Sequence, residues 1–393
     1  MIREKLRTLV KEYSERNKRN NCSAVYSVTN SHGFMSSTDY FSKEVFSKDL
    51  STYKIVRRGM IAYNPSRINV GSVAVQRAKE TVIVSPLYVV FSVDENKILP
   101  EFLTYFLHSD TGLQQIAAHT SGSVRDSLKF GALQDIEINL YSIEEQREII
   151  AKLQKVDDLL ECQRTVLKRL DDLVKSQFIE MFGSVNKAKY PVMRIGAVAK
   201  LQGGYAFKST DYMSNGVPIV QIANVNRDNL DWNEMNCVPA VFLEKYSEFA
   251  LNPGDLVMAM TRPVIKSLNA VKLAVVSEQD VPCLLNQRVG RFRIERTKIN
   301  RTYLMSCCQM QDFKDYVVAM SGNSLQPNIS SKQVENYSIV LPPIELQNKF
   351  AAFVKQTDKS KVLMERCIFL VNTLRKVEKT KGICYNIASK EVV

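Results

Sequence analysis

Residues 140–146 read LYSIEEQ and residues 341–347 read LPPIELQ. Leu, Ile, Glu and Gln coincide at an offset of 201 residues. An internal repeat sets the architecture of a chain, so the match is followed outward in both directions. Upstream, SVRDSLKFGALQDIEINLYSIEEQ (123–146) lies over SLQPNISSKQVENYSIVLPPIELQ (324–347), with Ser123 over Ser324, Leu133 over Val334 and Ile138 over Ile339. Farther upstream, Phe102 lies over Tyr303 and Leu103 over Leu304. The order of elements is thus kept well beyond the seven residues.

Downstream of the first copy, residues 144–182 contain neither Gly nor Pro. As one helix they would reach about 58 Å. Ser142 and Glu145 have capping-box spacing, and Gly183 stands where a helix stops. Ile149, Leu153, Val156, Leu160, Leu167, Leu170 and Val174 recur at alternating spacings of four and three once Gln163 fills the position between Leu160 and Leu167, a coiled-coil seam. Such a stripe needs a partner. The second copy offers one: Pro343 reads as a first helical residue, and no Gly or Pro follows until Gly382. Its seam is Phe350, Val354, Thr357, Lys361, Met364, Ile368 and Val371, weaker because two positions are polar. An intramolecular antiparallel coiled coil is the expectation, with a homodimeric coiled coil as the alternative.

The expected fold class is therefore α+β: two pseudo-twofold-related mixed domains, 1–142 and 183–342, separated by two long helices, 143–182 and 343–381, with a tail at 382–393. In the first domain, TVIVSPLYVVFSV (81–93) reads as strands limited by Pro86, and PEFLTYFLHS (100–109) as a helix. IREKLRTLVKEY (2–13) also reads as a helix, with Ile2, Leu6, Leu9 and Tyr13 on one face. In the second, GDLVMAM (254–260) and GRFRI (290–294) read as strands, and 300–320 as one helix. PVMRIGAVAKLQGGYAF (191–207) has no visible counterpart in the first domain. The two domains would then differ in design.

The 393 residues carry a net charge of +12, with 45% hydrophobic and 24% charged residues. This is a globular balance with a basic excess that favours a polyanion partner. No run of 18 apolar residues occurs, the charged N-terminus does not read as a signal peptide, and eight cysteines form no C-x-x-C pair. These features point to a cytoplasmic protein with reduced thiols. Three histidines, His32, His108 and His119, are too scattered for a zinc site.

Polar, basic loops flank the strands, and their residue types are those that hold phosphates and read base edges. The DNA-binding candidates in the first domain are Arg57, Arg58, Tyr63, Asn64, Arg67, Asn69, Ser121, Arg125 and Lys129. Those in the second are Gln202, Tyr205, Lys208, Arg262, Lys266, Asn269, Asn323 and Gln326. Signatures of catalysis are missing from the sequence: no G-x-G-x-x-G, no P-loop, no H-E-x-x-H and no G-x-S-x-G. YNPSR (63–67) shares only Asn-Pro with the adenine-methyltransferase motif.

LPPIELQNKF (341–350) and LYSIEEQREI (140–149), each following a mixed domain, resemble the repeats of type I restriction–modification specificity subunits. Tyr141 and Ser142 depart from the pattern by replacing its prolines. YNPSRINVGS and SGSVRDSLKF look like motifs of one class of target-recognition domain, and LQGGYAFKSTDYMSNGVPIVQIANV looks like the opening of another class. The resemblance implies a non-catalytic subunit that reads a bipartite DNA target, non-palindromic if the two domains differ. It further implies docking of two methyltransferase subunits and, through them, motor and nuclease subunits. S-adenosylmethionine, ATP and Mg2+ would belong to those partners and no cofactor to this chain. A stand-alone coiled-coil DNA-binding regulator and a self-contained DNA methyltransferase are the competing readings.

Overall fold

The computed structural model describes residues 2–30, 33–37, 49–120, 127–265, 267, 270–322 and 326–379. The chain divides into two compact units, Met1–Thr165 with Glu365–Val393, and Val166–Met364.

Unit 1 opens with β1 (Ile2–Lys5) and β2 (Val10–Glu12), followed by β3 (Tyr26–Thr29), β4 (Gly33–Ser36), β5 (Lys54–Arg57), β6 (Ile61–Tyr63), β7 (Val73–Val75), β8 (Thr81–Val84) and β9 (Val89–Val93). Helices α1 (Pro100–Leu107), α2 (Asp110–His119) and α3 (Phe130–Gln134) lead to β10 (Glu137–Leu140) and the long α4 (Ile143–Phe182), which continues into unit 2. The main sheet has the order β2-β9-β6-β7, all antiparallel, and β10 returns to pair with β1. Its core gathers Leu6, Leu9, Phe91, Phe102, Leu103 and Phe106 with Ile150 and Leu153 of α4.

Unit 2 repeats the plan. It contains β11 (Val192–Arg194), β12 (Ala199–Gly203), β13 (Val217–Val220), β14 (Arg227–Asp228), β15 (Cys237–Val238), α5 (Phe242–Lys245), β16 (Leu256–Ala259), β17 (Val264–Ile265), β18 (Ala270–Val271), β19 (Leu273–Val275), β20 (Leu284–Leu285) and β21 (Val289–Ile294). After them come α6 (Arg301–Gln309), α7 (Gln311–Ser321), α8 (Ser331–Glu335), β22 (Ser338–Val340) and α9 (Ile344–Lys379). The sheet β12-β21-β16-β19 matches β2-β9-β6-β7 strand for strand, with β14 added in parallel beside β19. Registers correspond: Glu12 faces Phe91 and Leu201 faces Phe292. Gly59 and Gly254 take φ of 91° and 89° at the equivalent turn before β6 and β16, where an L side chain would be strained.

The structure corrects three readings of local sequence. Residues 2–13 are not a helix but strand, 3-10 turn (Leu6–Thr8) and strand. Val192–Gly203 has the same sequence of elements, so the opening judged unique to the second domain is shared. Leu6 N donates to Ile136 O and Ile195 N to Tyr337 O, which fixes the correspondence. Pairing with β10 outweighs the helical spacing of four apolar residues. Residues 300–320 form two helices, because Met310 leaves the helical region with ψ 152°.

The repeated motif has a tertiary explanation. Gln146 is fully buried. Its Oε1 accepts from Leu99 N at 2.8 Å, and its Nε2 donates to Lys97 O at 2.8 Å and Tyr141 O at 3.0 Å. Gln347 is also fully buried. It repeats the pattern with Asn300 N at 2.8 Å, Lys298 O at 3.1 Å and Pro342 O at 2.8 Å. Each Gln thus ties the start of a long helix to the loop ahead of α1 or α6. Ser142 and Glu145 close the capping box at 2.9 and 3.2 Å. Pro343 sits one place earlier than first helical position, its carbonyl accepting from Gln347 N at 3.2 Å.

Within each unit the long helices run antiparallel. In unit 1, Asp157 of α4 meets Arg375 of α9 at 2.6 Å and accepts from Tyr105 Oη at 3.0 Å. In unit 2, Asp171 meets Lys361 at 2.8 Å and Arg227 at 2.9 Å, and Phe178 packs on Phe350 with ring centroids 5.5 Å apart. Because each helix start packs beside the other's end, the compact units cut through the spacer helices rather than at their ends. Ile149, Val156, Leu167, Leu170, Val174, Val354, Met364 and Ile368 are half-buried, while Leu153, Leu160 and Phe350 are buried. The two polar seam positions are also enclosed: Thr357 bonds Phe353 O, and Lys361 bonds Asp171.

Candidate nucleic-acid interface

In unit 1 the connection from β6 to β7 is built to project polar residues. Asn64 Oδ1 accepts from Ser66 N at 3.1 Å, an Asx turn, and Leu128 N reaches Pro65 O at 3.0 Å. A 3-10 turn, Ile68–Val70, buries Ile68 and leaves Arg67 and Asn69 exposed. The exposed Lys129 immediately precedes α3, next to Leu128. This brings Asn64, Arg67, Asn69 and Lys129 into one neighbourhood.

Other candidates have different surroundings. Tyr63 is fully buried and its Oη donates to Leu128 O at 3.1 Å, so it is a core residue that fastens the loop and not a surface reader. Burial pushes its phenol pKa well up. Arg57 pairs with Glu15 at 2.8 Å and lies 5.0 Å above the Tyr13 ring. Arg58 lies 3.9 Å from Glu80. Ser121 and Arg125 lie outside the described residues.

In unit 2 the equivalent connection, β16 to β19, carries the β17–β18 hairpin. The strand registers place Arg262 where unit 1 has Arg67, and Ile329 N donates to Met260 O as Leu128 N does to Pro65 O. Arg262 is exposed, with φ 48°, and its N–H donates to Pro327 O at 2.8 Å. Thr261 Oγ1 is hydrogen-bonded to Asn328 Oδ1 and accepts from Arg288 Nη1 at 3.2 Å. Thr261, Arg288 and Asn328 edge a cleft of about 480 Å3 that Gln287, Ser330 and Gln333 also line. Gln326 is exposed next to it in sequence. Lys272 lies close by: burial first, and then the charge of Arg262, lower its pKa. Lys266, Asn269 and Asn323 lie outside the described residues.

Gln202 does not face this cleft. Its Oε1 accepts from Arg291 at 2.9 Å and from Arg293 at 2.7 Å, and its side chain completes the cage of the buried Arg291 with Asp255, Ala250 O and Glu248 O. Tyr205 is half-buried in an aromatic group, 4.2 Å from Tyr246 and 5.0 Å from Phe207 between ring centroids. Lys208 is exposed at the adjoining 3-10 turn. Arg288 was not visible as a candidate. It stands between two apolar runs in LLNQRVGRF, and only its place in a tight turn between β20 and β21 distinguishes it.

The repeated strand order and the paired loops define a protein with two similar mixed units, each presenting a polar, cationic loop face. The family profile described as type I restriction modification DNA specificity domain matches residues 7–171 and again 187–368. The chain belongs to that family. It is 27% identical over 279 residues to the type I restriction enzyme MjaVIII specificity subunit of Methanocaldococcus jannaschii, covering 67% of this chain and 65% of that one. It is 24% identical over 307 residues to the EcoAI specificity subunit of Escherichia coli, covering 73% of this chain and 50% of that one. The alignments thus span about two thirds and one half of these relatives. A solved chain from a study of type I R-M complex assembly superposes with a TM-score of 0.59 at 18% identity, covering 97% of both chains, and shares the fold. Among the described residues, no helix is long and apolar enough to cross a membrane.

Proposed function

We propose that the chain is the DNA sequence-specificity subunit of a type I restriction–modification complex, each unit reading one half of a bipartite DNA target. The observation that carries this reading is the repetition of one topology, each copy ending in a long helix and each presenting Arg67 or Arg262 at the same register position. Arginine forks and Asn or Gln amides suit base edges, and the net charge of +12 suits phosphate neutralisation with counterion release. The chain itself carries out no chemistry in this reading. S-adenosylmethionine, ATP and Mg2+ act in partner subunits, and the complex works in the cytoplasm.

The proposed target is non-palindromic, now on a different ground. The openings of the units agree, but among the described residues their additions do not: unit 1 has the β3-β4 and β5-β8 pairs, and unit 2 the β17–β18 hairpin, β14 and the β15-β13-β20 sheet. Methylome sequencing of cells with and without the gene tests the reading. A bipartite, asymmetric motif is expected; a palindrome would refute the asymmetry, and no gene-dependent motif would refute the function.

The long helices supply docking faces for two methyltransferase subunits. Leu173 in unit 2 and Leu374 in unit 1 correspond at the 201-residue offset and are 47% and 58% exposed. Val362 and Leu363 in unit 2 and Phe369 and Leu370 in unit 1 are exposed as well. Exposed apolar side chains at helical spacing suit burial against a partner. Leu173→Glu and Leu374→Glu should each reduce the bound methyltransferase from two copies to one by native mass; retention of two copies by both would exclude these faces.

A further inference from the structure

The cleft beside Arg288 is better organised than a solvated loop requires. Three backbone or side-chain contacts brace it: Ile329 N to Met260 O at 2.9 Å, Arg262 N to Pro327 O at 2.8 Å, and Thr261 to Asn328. Such bracing removes the ordering cost of binding in advance. The arginines of the adjoining strand are committed elsewhere: Arg291 to Asp255 and two carbonyls, and Arg293 to Gln202. Arg288 is exposed and donates one N–H to a neutral hydroxyl, and among the described residues it forms no ion pair. A guanidinium has five N–H donors in a planar fork, so most of this one is available to a ligand with paired acceptors.

We infer that Arg288 is a specificity-determining residue that reads one guanine in the half-target taken by unit 2. Thr261 holds its guanidinium, and Asn328 holds Thr261. This rests on the reading of the chain as a DNA-specificity subunit. Guanine O6 and N7 present the acceptor pair a fork fits in the major groove. Gln287, exposed at the cleft, is a neutral amide of the kind that reads base edges, which favours a base over a phosphate, whereas the amides of Asn328 and Gln333 are held by Thr261 and Ser330.

Selection of the full chain from a pool of randomised duplexes tests the assignment, with Arg288→Ala, Arg288→Lys, Thr261→Val and, as a control outside the cleft, Arg296→Ala. The wild type should enrich a consensus containing a G·C pair for which Arg288→Ala loses about 5- to 150-fold discrimination, the range of one bidentate contact. The other consensus positions should be unchanged. Arg288→Lys should lose the same preference although it keeps the charge, and Thr261→Val should weaken it. Equal melting temperatures establish that the Arg288→Ala fold is intact; should it not fold, Arg288→Lys and Thr261→Val decide. A uniform loss of affinity for all sequences, with the salt slope reduced by about one, would mark a phosphate contact and overturn the inference. So would an unchanged consensus in Arg288→Ala and Arg288→Lys. Failure of the wild type to enrich any consensus would instead overturn the DNA-reading function itself.

Discussion

Replacing Gln146 by Leu keeps the volume of a fully buried side chain and removes three hydrogen bonds at once. A typical buried hydrogen bond contributes about 1 kcal/mol net, and a buried group left unpaired costs about 1–3 kcal/mol. Leu99 N, Lys97 O and Tyr141 O all lose this partner, so the substitution should destabilise the joint between α1 and α4 by about 3–5 kcal/mol. Amide exchange reads that joint directly. The Leu99 amide should exchange about 100-fold faster or more, since each 1.4 kcal/mol is a factor of ten. Gln347→Leu should do the same to Asn300, each variant leaving the other site protected. Gln146→Glu should be at least as damaging at neutral pH, because its carboxylate would face two carbonyls, and should recover partly as acid protonates it. An unaltered Leu99 exchange rate in Gln146→Leu would refute the account of why the motif ends in Gln.

Three further outcomes follow from the same contacts. Gln202→Ala removes an acceptor from both Arg291 and Arg293 and should cost unit 2 about 1–3 kcal/mol in chemical denaturation, without shifting the DNA consensus. Tyr63→Phe should cost about 1 kcal/mol through the lost bond to Leu128 O and likewise leave the consensus intact; a changed consensus would return Tyr63 to the reading face. Asp171→Asn should destabilise unit 2 by about 1–2 kcal/mol at pH 7. Burial opposes the Asp171 charge, but Lys361 and Arg227 outweigh it and hold the carboxyl below its ordinary 3.8. A depressed carboxylate stabilises the fold above its unfolded pKa, and that contribution disappears as pH falls through the folded value. The wild type should therefore lose more of the unit 2 melting temperature than the variant between pH 5 and strongly acidic conditions, and parallel curves would count against the bridge.

Periodicity and punctuation carried much of the architecture. The four-three spacing from Ile149 to Val174, the Ser142–Glu145 box and Gly183 mark α4 because helix geometry is local. The offset of 201 residues marks the repeat because both copies solve the same local problem at a helix start. Strand openings were less legible. Residues 2–13 carry helical spacing, yet they pair with Glu137–Leu140, and that partner lies more than a hundred residues away in sequence. The same long-range pairing hid the match between Val192–Gly203 and the N-terminus.

The candidate interface divides along the same line. Residue type alone made Tyr63, Gln202 and Arg67 comparable candidates, since each can hydrogen-bond to DNA. Packing separated them: Tyr63 fills a core, Gln202 accepts hydrogen bonds from the buried Arg291 and from Arg293, and Arg67 stands in water. Arg288 entered only through tertiary structure, because its neighbours Thr261 and Asn328 come from other segments. By itself the sequence determined that there are two copies, where the long helices begin and which seams they bury, all consequences of spacing along one chain. Which polar side chains are committed to holding the fold and which remain for a ligand was decided by contacts between distant segments, and those exist only once the sheets have formed.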